Sequence, residues 1–189
     1  MKNITLMQKI FGHLKTVHKH RKLVRKYCFE CGLYYQGLTH DLSKYSPSEL
    51  FESIKYYQGY RSPYSYEKEL YGYALGWLHH KGRNKHHFEY WVDIKDGKFT
   101  PIEMPYKYVL ESVCDRIAAC ITYEKDNYTK ESALKYFTTR SDSFLMHENT
   151  SKLMLEILTR ISIVGEKQAL QEYKKCSCTV RKQATENKR

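Results

Sequence analysis

No stretch of this 189-residue chain approaches the roughly 20 apolar residues that span a bilayer. It shows neither the apolar segment of a secretory signal nor a glycine-rich phosphate loop. Internal repeats and the alternating pattern of half-buried strands are missing too. These gaps exclude a membrane-spanning helix, a P-loop enzyme and a solenoid. Acidic residues are in deficit, 21 against 32 lysines and arginines, for a formal net charge of +11. That balance favours anionic partners such as phosphorylated small molecules or nucleic acid. Yet the chain has no long arginine-rich arm and no recognisable nucleic-acid module.

Six cysteines are present: Cys28, Cys31, Cys114, Cys120, Cys176 and Cys178. Without a secretory segment the expected setting is the reducing cytoplasm, with no membrane partner. Cys28 and Cys31 with Cys176 and Cys178 form two halves of a conceivable zinc site. Small buried thiols explain the spacing better, because the first pair lies on a helical pattern. Tyrosine is abundant, with 18 copies. It suits either the wall of a wet cleft or the edge of a small core.

The expected class is all-α, a single compact helical domain over residues 1–178 with a disordered basic tail at 179–189. Met7, Ile10, Leu14, Val17, Val24 and Cys28 recur at helical spacing and predict a helix over about 4–35. Ser46-Pro47-Ser48-Glu49 predicts a helix start with a capping box. Further helices are expected at about 65–80, 105–124 and 150–164, with 82–103 irregular around the Asp96-Gly97 turn signal.

The nine histidines are unevenly placed. His13, His18 and His147 fit the ordinary role of satisfied polar residues. Four others crowd into WLHHKGRNKHHFEYW, residues 77–91, as the pairs His79-His80 and His86-His87. Imidazoles in such density suit zinc, iron, manganese or nickel. Adjacent histidines on a helix point about 100° apart, so one of each pair is expected to ligate. Asp115 sits inside the apolar stripe of YVLESVCDRIAAC. A bare buried carboxylate costs several kcal/mol, so it needs a cationic partner, either Arg116 or a metal.

In order, the chain offers His20, then His40-Asp41 in GLTHDLSK, then the paired histidines, then Asp115 in VCDRIA. This order resembles the HD-domain superfamily of metal-dependent phosphohydrolases, and the blocks GLTHDLSKYSPSEL and WLHHKGRNKHHFEYW resemble a small bacterial and phage-associated family with no assigned activity. The resemblance implies that His20, His40, Asp41 and Asp115 hold one metal ion. Asp41 would bridge to a second ion held by one of His79 and His80 and one of His86 and His87. The ions would be divalent: Mn, Mg, Ni, Zn or Fe. Asp41 and Lys44 would serve catalysis, Lys44 by reaching a bound phosphate. Lys81, Arg83 and Lys85 would draw in more negative charge. The expected function is hydrolysis of a phosphoester, nucleotide or related, by metal-activated water. Two other readings stand beside it: an HD-type di-iron oxygenase, and a non-catalytic basic module for nucleic acid or protein.

Overall fold

A computed structural model describes residues 4–140 and 145–174. Helix α1 (Leu6–Glu30) starts where Thr5 and Gln8 cap each other's backbone N–H groups. Its buried face is the row His13, Val17, His20, Val24, Tyr27 and Cys28. Steps of three and four put these side chains on one side of the helix, so His20, a candidate ligand, and the core valines share one face.

The chain then forms α2 (Tyr34–Thr39), a 3-10 turn (Leu42–Tyr45), α3 (Pro47–Lys55), α4 (Pro63–Tyr71) and α5 (Leu75–Arg83). A second 3-10 turn (Phe88–Trp91) leads into a hairpin of β1 (Val92–Lys95) and β2 (Lys98–Pro101). Next come α6 (Tyr106–Glu124), α7 (Ser132–Thr138), α8 (Glu148–Val164) and α9 over 166–174. Among the described residues no helix is long and apolar enough to cross a membrane.

Helix α6 is the centre of the molecule and packs on α1, α7 and α8. Val109, Leu110, Val113, Cys114, Ile117 and Ala118 are fully buried along it. Met154, Ile157, Leu158 and Ile161 of α8 close over them. Each such side chain contributes about 1.5–3 kcal/mol by leaving water. This rigid core holds the α6 face that reaches the histidines.

The all-α class holds, with local differences. The first helix ends at Glu30, and a short separate helix, α2, follows. The helix expected over 65–80 is two helices, broken at Gly72, whose φ of 79° is left-handed. The irregular segment contains the antiparallel hairpin, turning through Asp96 and Gly97, both at positive φ. Three of the four β1 residues are exposed, so no apolar alternation marked the strand. Cys28, Cys31, Cys114 and Cys120 are free, buried thiols. Cys176, Cys178 and the tail at 179–189 lie outside the described residues.

Candidate metal centre

Four segments meet on the inner face of α6. The junction of the first two is fixed by Arg21, the neighbour of His20. Its Nε donates to the His40 carbonyl at 2.8 Å and an Nη to the Leu38 carbonyl at 3.2 Å, which ties the end of α2 to α1. Gly37 permits that approach, since a Cβ there would lie 3.0 Å from the Cβ of Cys28. The chain then turns sharply at Asp41, with a left-handed φ of 54°. Aspartate tolerates that region better than most residues, but the turn still costs on the order of 1 kcal/mol. It sends the Asp41 carboxylate inward, and the 3-10 turn carries Lys44 back over it.

Asp41 is the hub. Its Oδ2 lies 3.7 Å from His20 Nε2 and 3.4 Å from His40 Nε2. Its Oδ1 lies 3.3 Å from His80 Nε2 and 3.4 Å from His86 Nε2. Asp115 Oδ1 stands 2.9 Å from His20 Nε2 and 3.6 Å from His40 Nε2. Two donor sets result, each tight enough for one ion: His20, His40, Asp41 and Asp115; and His80, His86 and His87. The two sets meet at Asp41. Lys44 Nζ lies 2.7 Å from Asp41 Oδ2, on the same oxygen as the first set.

Behind the donors stand two glutamates. Glu49 of α3 is fully buried; its Oε2 is 2.8 Å from His80 Nδ1 and its Oε1 2.9 Å from His79 Nδ1. Glu111 of α6 places Oε1 3.0 Å from His40 Nδ1 and 3.3 Å from His86 Nδ1. An ionised carboxylate only accepts, so these Nδ1 atoms carry the proton and donate. With a divalent ion in place, Nε2 of His40, His80 and His86 would offer it lone pairs, the arrangement that metal-bound histidines use; without one, the raised pKa of His40 keeps on its Nε2 a proton that an ion would displace. Asn84 braces His80 further by donating to its carbonyl at 2.8 Å and to Ser43 Oγ at 2.8 Å.

Residues 9–160 match the model of a family of unknown function, DUF5662. The chain belongs to this family. No curated protein and no solved structure matches it. The DUF5662 match takes in every donor from His20 to Asp115 together with Glu49 and Glu111.

The donor atoms themselves argue for a cation. His40 Nε2, His86 Nε2, His87 Nε2 and Asp41 Oδ1 are buried and make no hydrogen bond, while His20 Nε2 and Asp41 Oδ2 meet only Asp115 and Lys44, at 2.9 and 2.7 Å. Unsatisfied buried polar atoms cost about 1–3 kcal/mol each. So many converging on one point is the chemistry of a ligand set, and these residues fit a divalent ion. The titration of the groups agrees. Burial opposes charge on Asp41, but the His40 imidazole and the Lys44 ammonium overcome it and hold the carboxyl well below its usual range. Asp115 is likewise driven well down against its burial, by His20 and His40. Burial disfavours a charged His40, yet Asp41, Asp115 and Glu111 push its pKa well above the usual value, so the carboxylates draw in positive charge. His87 is held neutral by burial and by His86 and His80; His80 is lowered chiefly by burial. Neutral imidazole is the ligand form.

Of the histidine pairs, His80 joins the cluster and His79 turns to the other oxygen of Glu49. Both His86 and His87 enter the second set rather than one of them, because they lie on an irregular link where the 100° helical rule has no force. Arg83 and Lys85 are exposed and Lys81 is partly so. The capping box expected at Ser46 and Glu49 does not form: Ser46 makes no side-chain cap, and the Glu49 carboxylate belongs to the histidines. Glu111 stands four residues before Asp115, a spacing that puts both carboxylates on one face of α6. His13 is buried, but neither ring nitrogen finds a hydrogen bond, contrary to the satisfied role expected of it.

Proposed function

We propose that this DUF5662 protein is a metal-dependent phosphohydrolase or phosphodiesterase acting on a nucleotide or related phosphoester, built on an HD-type centre. The observation that carries this reading is the Lys44 ammonium, 2.7 Å from an oxygen of the aspartate shared by both donor sets. A fixed cation beside a metal site is what a phosphoryl group needs and what oxygen activation does not. The donor order His20, His40-Asp41, His80, His86, Asp115 supports the HD assignment.

His20, His40, Asp41 and Asp115 would hold one divalent ion, and His80, His86, His87 and Asp41 the other. Bound there, two such ions lower the pKa of a shared water and neutralise charge on phosphoryl oxygens. The protein supplies the rest. Lys44 binds a phosphate oxygen and orients the group over the donor sets. Asp41 fixes Lys44 and spans both sets at once. Trp77, whose ring centroid lies 4.9 Å from that of His87 and 5.6 Å from that of His80, walls the second set off from water. Two divalent ions would balance the carboxylates of Asp41, Asp115, Glu49 and Glu111. The charge of Lys44 then remains in excess and matches an anionic substrate. The imidazole-rich donor sets favour manganese, iron, nickel or zinc.

The test is elemental analysis of the purified protein beside His40→Ala and Asp41→Ala, followed by a phosphate-release assay on nucleotides and a phosphodiester in the metal found. Stoichiometric metal lost in both variants, with hydrolysis by wild type alone, is the expected result. A folded, metal-free wild type with salt-dependent nucleic-acid binding would replace the enzyme by a basic adaptor. Bound iron with an oxygen-dependent spectrum and no hydrolysis would move the assignment to an oxygenase.

A further inference from the structure

We propose that Glu111 is a positioning residue for both ions, so that the two metal affinities depend on one carboxylate, whereas Glu49 serves the second ion alone. This rests on the two-ion reading above.

The geometry is specific. One oxygen of Glu111 stands 3.0 Å from Nδ1 of His40 and 3.3 Å from Nδ1 of His86. His40 belongs to the first donor set and His86 to the second. Their rings lie side by side, centroids 4.3 Å apart, and their Nε2 atoms approach opposite oxygens of Asp41, each at 3.4 Å. A carboxylate oxygen has two lone pairs and can accept from both rings. Each imidazole is thereby fixed in tautomer and in rotation, and each becomes a stronger donor through its Nε2. Glu111 is 5% exposed, so water does not substitute for it.

These three residues also form a compact group that could itself be taken for an ion site. The chemistry of the rings argues otherwise: the Nε2 of both already faces Asp41, which leaves each Nδ1 to donate its proton to Glu111. Using Nδ1 for a third ion would also strip the proton that sets the Nε2 lone pairs. Glu49 differs in its partners: both of its oxygens meet imidazoles of α5, and of these only His80 belongs to a donor set. Its reach therefore ends at the second ion.

The experiment is calorimetric titration of metal-stripped protein with Mn(II), read together with the melting temperature of the metal-free form. Glu111→Gln keeps an acceptor oxygen but removes the charge that strengthens both imidazoles. It should weaken both binding steps about 10- to 100-fold. Glu49→Gln should weaken one step by a similar factor and leave the other at its wild-type value. In a His80→Ala background, which retains the first donor set, Glu111→Gln should still weaken the remaining ion and Glu49→Gln should not. If Glu111→Gln fails to fold, Glu111→Asp, which keeps the charge but withdraws it by one methylene, replaces it with the same expectation. A folded Glu111 variant that binds both ions as wild type does, or loses affinity at one step only, overturns the proposal. So does a third Mn(II) per chain that disappears with Glu111. A wild-type chain that binds no ion fails the two-ion reading itself, a distinct result.

Discussion

Asp41 Oδ1 lies 3.3 Å from His80 Nε2, although one residue comes from a tight turn and the other from the middle of α5. That contact joins the two donor sets, since the other oxygen of the same carboxylate faces His20 and His40. Asp41 should therefore be the residue whose loss is felt most widely. Asp41→Ala is expected to abolish binding of both ions. It also removes the partner of Lys44 and places alanine at positive φ. The metal-free protein should lose about 1–3 kcal/mol, measured by urea denaturation.

The histidine pair on α5 should split cleanly. His80→Ala is expected to lose the second ion, and His79→Ala to keep full metal stoichiometry, because His79 contacts Glu49 and no donor set. Elemental analysis of the two purified variants checks this. Equal loss in both would mean that His79 ligates.

Lys44 gives a third expectation. Its side chain is 19% exposed, and although burial works against its charge, Asp41 raises its pKa, so it stays cationic across the usual pH range. Lys44→Met should leave metal content unchanged and raise KM for a phosphoester about 10- to 100-fold, the value of one lost charged hydrogen bond. Unchanged KM, with metal intact, would remove Lys44 from phosphate binding.

His13 supplies a pH dependence away from the donors. Burial, with help from Lys44, lowers its pKa to about 4. In the unfolded chain it returns to near 6.5. Between these values the unfolded state takes up a proton that the native state refuses, so stability falls as pH falls. The contribution is fully present above pH 6.5 and is lost by about pH 4, and its size is up to about 3 kcal/mol. His13→Phe should flatten that part of the stability curve relative to wild type, as followed by thermal melts across this range. Parallel curves for the two proteins would show that His13 titrates normally.

Much of the fold was written in periodicity. The apolar rows of α6 and α8 and the second half of the α1 stripe, Val17, Val24 and Cys28, follow from spacing by threes and fours. Met7, by contrast, is exposed and Ile10 and Leu14 are only half-buried, because His13 and His20 share the buried face of α1. The hairpin was not legible, because its strands are mostly solvated and carry no burial pattern. The break at Gly72 leaves no mark in periodicity, since only the backbone turns there, at a φ of 79°.

The order of the candidate donors, from His20 through His40-Asp41 to Asp115, was legible in the sequence through its resemblance to the HD-domain pattern, since no single imidazole or carboxylate marks a site by itself. Convergence was decided by tertiary structure. A left-handed turn at Asp41 and the irregular link carrying His86 and His87 have no period from which direction could be computed. The choice between His79 and His80, and the parts played by Glu49 and Glu111, depend on which neighbour lies across the interface. Hydrogen bonds act over about 3 Å between groups distant in the chain. Residue spacing determines which face a side chain leaves from; only packing determines what it meets.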